Sequence, residues 1–176
     1  MPEVTSDATL IIATSWQALG RAETGDERAG ICNCTVMIVF AAFFIEANLN
    51  QFIEKAAGKG AAGHPPGEHD GLTKKLAWVY NSFVAKAAVT DPKELNASLE
   101  TEFPGVEEIR NFRNDVAHGI INRPTATLDN AKRLRLRAKQ IVDHLLEIAK
   151  KNGIPVDRGV EYEMAISTTP AESADA

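Results

Sequence analysis

This chain has little cysteine: two in 176 residues, Cys32 and Cys34, separated by one residue inside an apolar run. That spacing is too short for an ordinary disulfide within one helix or strand, so no disulfide framework is expected. The pair reads as small buried hydrophobes in a reducing compartment. There is no long hydrophobic run either. The longest, Val36 to Ile45, spans ten residues and meets Glu46, whereas a bilayer needs about twenty. The opening Met1-Pro2-Glu3-Val4-Thr5-Ser6-Asp7 has no basic flank of a secretory signal. The expectation is a cytoplasmic protein without a membrane span. Positive charge is not in excess: the formal net charge is −5, which argues against a protein that coats nucleic acid nonspecifically. A strand series, a glycine-rich phosphate loop and internal repeats are all lacking, and what remains is helical periodicity.

The hydrophobic fraction of 44% and charged fraction of 24% are those of an ordinary soluble domain. One domain is expected over residues 1–156. Residues 157–176, with five carboxylates against Arg158 and a Ser/Thr/Pro/Ala ending, read as an acidic, disordered tail. The spacing predicts a helix from about Asp7 to Arg21, capped by Ser6 or Asp7, with Leu10, Thr14 and Trp16 facing inward. A second, from about Ala29 to Ala57, is apolar on every side between Val36 and Ile45 and should be the central helix. Gly58 to Gly71 is rich in glycine and proline and reads as a flexible loop. A third helix is expected over Leu72 to Ala88, and Asp91-Pro92 opens a short one. A fourth long element follows Pro104 and ends at Gly119 as a left-handed cap. The last, about Thr127 to Asn152, aligns Leu128, Ala131, Leu134, Ala138, Ile141, Leu145 and Ile148 on one stripe. The fold class expected is all-α, a bundle of four to five main helices packed along apolar stripes.

Charge is unevenly placed. From Arg123 to Lys151 eight basic residues stand against three acidic ones, a local balance of +5, and the rest of the chain carries −10. Arg133, Arg135, Arg137 and Lys139 read equally as a strip that guides RNA or as a solvated basic face.

The densest chemistry lies in Ile109-Arg110-Asn111-Phe112-Arg113-Asn114-Asp115-Val116-Ala117-His118-Gly119. Two arginines, two asparagines and a histidine can together hold a phosphate and move a proton. On a regular helix Asn114 and His118 share a face, with Asn111 beside His118 and Arg110 beside Asn114. Arg113 points about 140° away from His118. A site that uses both therefore needs the helix to unwind near Gly119, or a second copy of the chain. A carboxylate in Phe43-Phe44-Ile45-Glu46-Ala47 would be costly to bury alone, so Glu46 is expected to pair with Arg113 or Arg110.

Arg113-Asn114-Asp115-Val116-Ala117-His118 resembles the Arg-Asn-x-x-x-His signature of the HEPN superfamily. Its place near the end of the helix before the last one is similar too, as is a polar residue, here Glu46, interrupting the apolar helix that faces the motif. The resemblance implies a HEPN-like helical bundle and, for many members, a metal-independent endoribonuclease in which two protomers juxtapose their motifs. Arg113 and His118 would be catalytic, with Asn114, Arg110, Asn111 and Glu46 binding or orienting. RNA would be the substrate, a homodimer the working form, and 2′,3′-cyclic phosphate and 5′-hydroxyl ends the products, in a toxin, stress or defence setting. No cofactor or metal is implied; an antitoxin or regulatory protein is an open partner. In one toxin branch a tyrosine stands two residues after the histidine. Here that residue is Ile120, so regulation through that tyrosine is unsupported.

Other superfamily members only bind or scaffold, so the alternative is a noncatalytic HEPN-like module that binds nucleotide, RNA or a protein partner. The same residues also have a purely structural use: a histidine that caps a helix, and arginines that brace helices through Glu46, Glu107 or Glu108. His64, Glu68, His69 and Asp70 lie in a loop with no stable ligand spacing and are not expected to hold a metal. His144 reads as a partly buried helix residue.

Overall fold

A computed structural model describes residues 17–18, 21, 27–57, 59, 61, 63–67, 69–120 and 126–156. Among the described residues the fold is all-α, with no strand. Helix α1 is Glu27–Ala56, α2 is Leu72–Val79, α3 is Pro92–Glu102, α4 is Val106–Ala117 and α5 is Leu128–Lys151. Of the helix expected over Asp7 to Arg21, only Gln17, Ala18 and Arg21 are described. They are helical, and Ala18 is buried. The rest of that helix, its caps at Ser6 and Asp7, and the tail over 157–176 lie outside the described residues, as do Gly58 and Glu68 of the loop.

Helix α1 is the spine. From Ala29 to Ile45 it has no charged side chain, and such a helix is stable only when other elements cover it. Helices α5 and α4 pack most extensively against it, followed by α2. Met37, Ile38, Ile45, Leu49 and Phe52 of α1 are shut away from solvent together with Ile109 of α4, Leu134, Ile141 and Leu145 of α5, and Leu76 and Val79 of α2. By length and composition Gly30–Ala56 is also long and apolar enough to cross a membrane, its most apolar stretch of 18 residues having a mean hydropathy of 1.9. The ten-residue run understated this, because Glu46 interrupts the run without lowering the average much. In this fold the segment forms the centre of the helical core.

Helix α5 carries the expected stripe: Ala131, Leu134, Ala138, Ile141, Leu145 and Ile148 are buried, and Leu128 is half-buried. The Thr127 hydroxyl caps its start by accepting the Asn130 amide at 3.3 Å. Asp91 does the same for α3, its carboxylate accepting the amides of Lys93 and Glu94 at 3.0 and 2.9 Å.

Two expectations are corrected. The helix that begins at Leu72 does not reach Ala88. After Val79 it widens into a single π turn, Tyr80–Val84, closed by the Ala85 amide on the Tyr80 carbonyl at 2.8 Å. The Asn81 side chain then takes both backbone groups of Val89, donating to its carbonyl at 3.2 Å and accepting its amide at 2.9 Å. One amide side chain thereby satisfies the backbone that a further helical turn would have used. The cysteines are not both buried. Cys34 is enclosed, and burial pushes its thiol pKa up, but Cys32 is exposed. Residues two apart on a helix point about 200° from each other and cannot both face one core.

The core position of α1 sets a stability prediction. Ile45→Ala should cost about 2–5 kcal/mol, whereas Cys32→Ser, on the exposed side, should stay within about 0.5 kcal/mol. Chemical denaturation of the two variants beside the parent checks both values.

Candidate functional site at the end of helix α4

Helix α4 begins where the backbone turns left-handed at Gly105, with φ 87°. A side chain there would be strained by that φ, although its Cβ would only touch the Arg137 side chain, whose Cγ is 3.4 Å away. The Glu100 carboxylate closes the helix start, accepting the Gly105 amide at 2.6 Å and the Glu107 amide at 3.4 Å. Val106, Ile109 and Phe112 face the core, which turns the intervening polar positions toward the flanks.

Three contacts brace those flanks. Toward α1, Arg113 Nη2 lies 3.9 Å from Glu46 Oε1, Nη1 donates to Asn114 Oδ1 at 3.3 Å, and the guanidinium sits 5.9 Å from the Phe43 ring centroid. Toward α2, Arg110 donates to the Thr73 hydroxyl at 2.8 Å, to Asn111 Oδ1 at 3.2 Å and to Glu107 at 3.5 Å. Toward α5, Glu108 receives a two-pronged contact from Arg133, with one prong at 2.8 Å. The expected partner of Glu46 is thus Arg113, and Arg110 belongs to a second cluster. Neither arginine is fully enclosed: the side chains of Arg113 and Arg110 are 38% and 31% exposed.

His118 lies where the helix stops. Its amide bonds the carbonyls of Asn114 and Asp115 at 3.0 and 3.1 Å, and its backbone leaves helical geometry at φ −89°, ψ 9°. Gly119 then adopts φ 75°, its amide reaching Val116 and that of Ile120 reaching Asp115 at 2.8 Å. This is the paired closure of a left-handed helix cap. The His118 side chain is exposed, and among the described residues it has no hydrogen bond or ion pair. Because α4 stays regular through Ala117, one chain does not join Arg113 to His118. Glu46, Arg113 and Asn114 form one contiguous group; Arg110 and Asn111 form another; His118 stands at the helix end with its imidazole open to solvent.

Two residues at the site were missed in the sequence. Phe43 stands three before Glu46 and so shares its helical face, a signal that was available. Thr73 meets Arg110 across 37 positions, and no local pattern marks it.

The basic positions of α5 do not form one strip. Arg133 is occupied by Glu108, Arg137 donates to Gln140 at 3.0 Å, and Lys139 pairs with Asp143. Arg135 is partly buried, which pushes its pKa down to about 10. His144, half-buried as expected, contacts Glu102 of α3 and tilts against Phe103. In the loop, Asp70 accepts the Gly67 amide at 2.7 Å and Lys74 Nζ at 2.8 Å. Among the described residues no group of histidine, cysteine and carboxylate side chains converges on a metal position.

No protein-family model, curated protein or solved structure matches this chain. The fold and site define an all-α bundle with an arginine–carboxylate pair and an open histidine on its penultimate helix.

The Arg133 hydrogen bonds hold the Glu108 carboxyl below its ordinary pKa of 4.5. Its folded pKa is therefore lower than its unfolded one, so the stabilisation is complete above the ordinary glutamate range and is lost as pH falls through the folded pKa. Both side chains are 46% exposed, so solvent screening keeps the contribution to at most about 1 kcal/mol. Arg133→Ala should lower stability by that amount at neutral pH and by less in acid, measured as urea midpoints across pH.

Proposed function

We propose that this chain is a HEPN-type protein acting as a metal-independent endoribonuclease, working as a homodimer in the cytoplasm in a toxin, stress or defence role. The observation that carries the reading is the placement on one helix of Arg113, held by Glu46 and Asn114 yet partly open, and of His118, exposed at the helix end.

The chemistry suits cleavage of RNA by its own 2′-hydroxyl. That oxygen attacks the adjacent phosphorus, a base takes its proton, and an acid protonates the departing 5′-oxygen. The ends left are a 2′,3′-cyclic phosphate and a 5′-hydroxyl. An imidazole suits the proton transfers, because histidine ordinarily titrates near neutrality. A guanidinium suits the extra negative charge on the phosphorane, and it remains cationic at any working pH. Asn114, bonded to Arg113, fixes that guanidinium or binds a phosphate oxygen, and Arg110 with Asn111 offers a second phosphate contact one turn earlier. Within one chain the arginine and the histidine are kept apart by the regular helix, so the reading calls for a second copy whose His118 completes the site beside Arg113. An antitoxin or regulatory protein would act by covering this end of α4.

One observation favours a second reading, a noncatalytic HEPN-like module that binds nucleotide, RNA or a protein partner. Both arginines already brace α4, through Glu46 and through Thr73 and Glu107, which is what a binding or scaffolding role requires.

Incubation of a structured RNA with the purified protein in EDTA, beside Arg113→Ala and His118→Ala, separates the two. The ribonuclease reading expects cyclic phosphate ends and a rate loss of roughly 10²–10⁴-fold in His118→Ala, with a comparable loss in Arg113→Ala. A folded, dimeric wild type that binds the RNA without cutting it moves the protein to the second reading.

A further inference from the structure

Helix α3 is held to the bundle by little. Of its 11 residues only Leu99 is buried, and Leu95 is half-buried. The helix therefore stands off α2 and α4, and a cleft of about 300 Å³, counting the open space at its mouth, lies between the three. Its floor is apolar, made by Leu76 of α2, Leu99 of α3 and Val106 of α4. Its rim carries both charges. Arg110 donates from Nη1 to the Thr73 hydroxyl at 2.8 Å. It meets Glu107 only at 3.5 Å, longer than the roughly 2.7–3.2 Å of a full hydrogen bond. Glu100 accepts the Gly105 amide on one oxygen at 2.6 Å and the Glu107 amide on the other at 3.4 Å, so the second oxygen keeps acceptor capacity. Asn96, exposed on α3, makes no side-chain hydrogen bond among the described residues.

We infer that this cleft binds a free α-amino acid with an aliphatic side chain. Such a molecule carries its carboxylate and its ammonium on one carbon, so both must be met within a few ångströms. Arg110 and Glu107, one turn apart on α4, present opposite charges side by side at 3.5 Å. The second Nη1 hydrogen of Arg110 and the Thr73 hydroxyl proton, both unused among the described residues, suit the carboxylate. Glu107 and the open oxygen of Glu100 suit the ammonium, and charge-assisted contacts of this kind are the strong ones. The apolar floor suits the aliphatic chain. Charge decides against simpler occupants. The lining holds two carboxylates and one guanidinium, so a phosphate or a nucleic acid strand would meet more like charge than opposite. An amine without a carboxylate would leave Arg110 facing it. Both charged groups are already oriented, Glu100 by two backbone amides and Arg110 by Thr73 and Asn111, which lowers the cost of ordering them on binding. The site goes beyond the ribonuclease reading: of the residues assigned to RNA cleavage above, only Arg110 lines it.

Isothermal titration calorimetry of the full chain with free valine, leucine, isoleucine and methionine, each in turn, tests the proposal. At least one should bind saturably, one molecule per chain. Its analogues without the ammonium or without the carboxylate, which for leucine are isocaproate and isoamylamine, should each bind roughly tenfold or more weakly, because each loses a charge-assisted hydrogen bond. Glu107→Gln should weaken the amino acid until it binds no better than the analogue without the ammonium. Arg110→Gln should bring it level with the analogue without the carboxylate. The Glu107 side chain is 61% exposed, so Glu107→Gln should melt like the parent by circular dichroism and keeps the test valid if Arg110→Gln folds poorly. Lys139→Gln, on α5 away from the cleft, should bind as the wild type does. The proposal is overturned if none of the four amino acids binds, if Glu107→Gln leaves binding unchanged, or if the stripped analogues bind as tightly as the amino acid. Inorganic phosphate that binds where no amino acid does, and is lost in Arg110→Gln, makes the cleft a phosphate site and equally overturns it. An amino acid bound in this way by a protein that cuts no RNA keeps the cleft and rejects the ribonuclease reading alone.

Discussion

Helix α1 imposes the constraint from which the other helices follow. Seventeen consecutive residues without charge, Ala29 to Ile45, lose far more in water than any one neighbour can recover by covering them. Helix α5 covers one side with its buried stripe, α4 another with Val106, Ile109 and Phe112, and α2 a third with Leu72, Leu76 and Val79. The chain thus gathers around one helix instead of pairing equal ones. Among the described residues, Cys32 and Val36 of α1 remain exposed.

Helix α4 shows how one short element serves packing and polar contact together. Its apolar positions recur at three and four, so the polar residues between them are delivered to three different neighbours: Glu108 to Arg133 on α5, Arg110 to Thr73 on α2, and Arg113 to Glu46 on α1. Each contact fixes the helix about its own axis, which hydrophobic packing alone leaves loosely determined because it is non-directional. The same bracing holds Arg113 in one orientation while leaving part of its guanidinium in solvent. A pre-oriented cation of this kind interacts with an arriving anion at a lower entropic cost than a free arginine would.

The positive charge of the last helix reads differently in three dimensions. In sequence it is a cluster with a local excess; on the helix alternate members diverge by about 200° and meet Glu108, Gln140 and Asp143. Its role in the fold is therefore largely to tie α5 to α4 and to itself. At the end of α4, Gly119 halts the helix and leaves His118 exposed.

The all-α class, the central position of α1, the stripe of α5, the helix start at Asp91, the cap at Gly119, and the pairing of Glu46 with an arginine were all legible in the residues. Each follows from local periodicity, from the backbone freedom of one glycine, or from the cost of leaving a carboxylate near an apolar core. The early end of α2 was not legible, because it depends on Asn81 reaching Val89, and the helical spacing of Phe83 and Val84 pointed the other way. Nor was the exposure of Cys32, or the choice of Arg113 over Arg110 as partner to Glu46, since both depend on how α1 and α4 are rotated against each other. Sequence by itself determined which elements form and which residues carry chemistry, because helix formation and capping act over one or two turns. Only the tertiary structure decided which of those residues meet, because rotation and register between helices are set by side chains far apart in the chain.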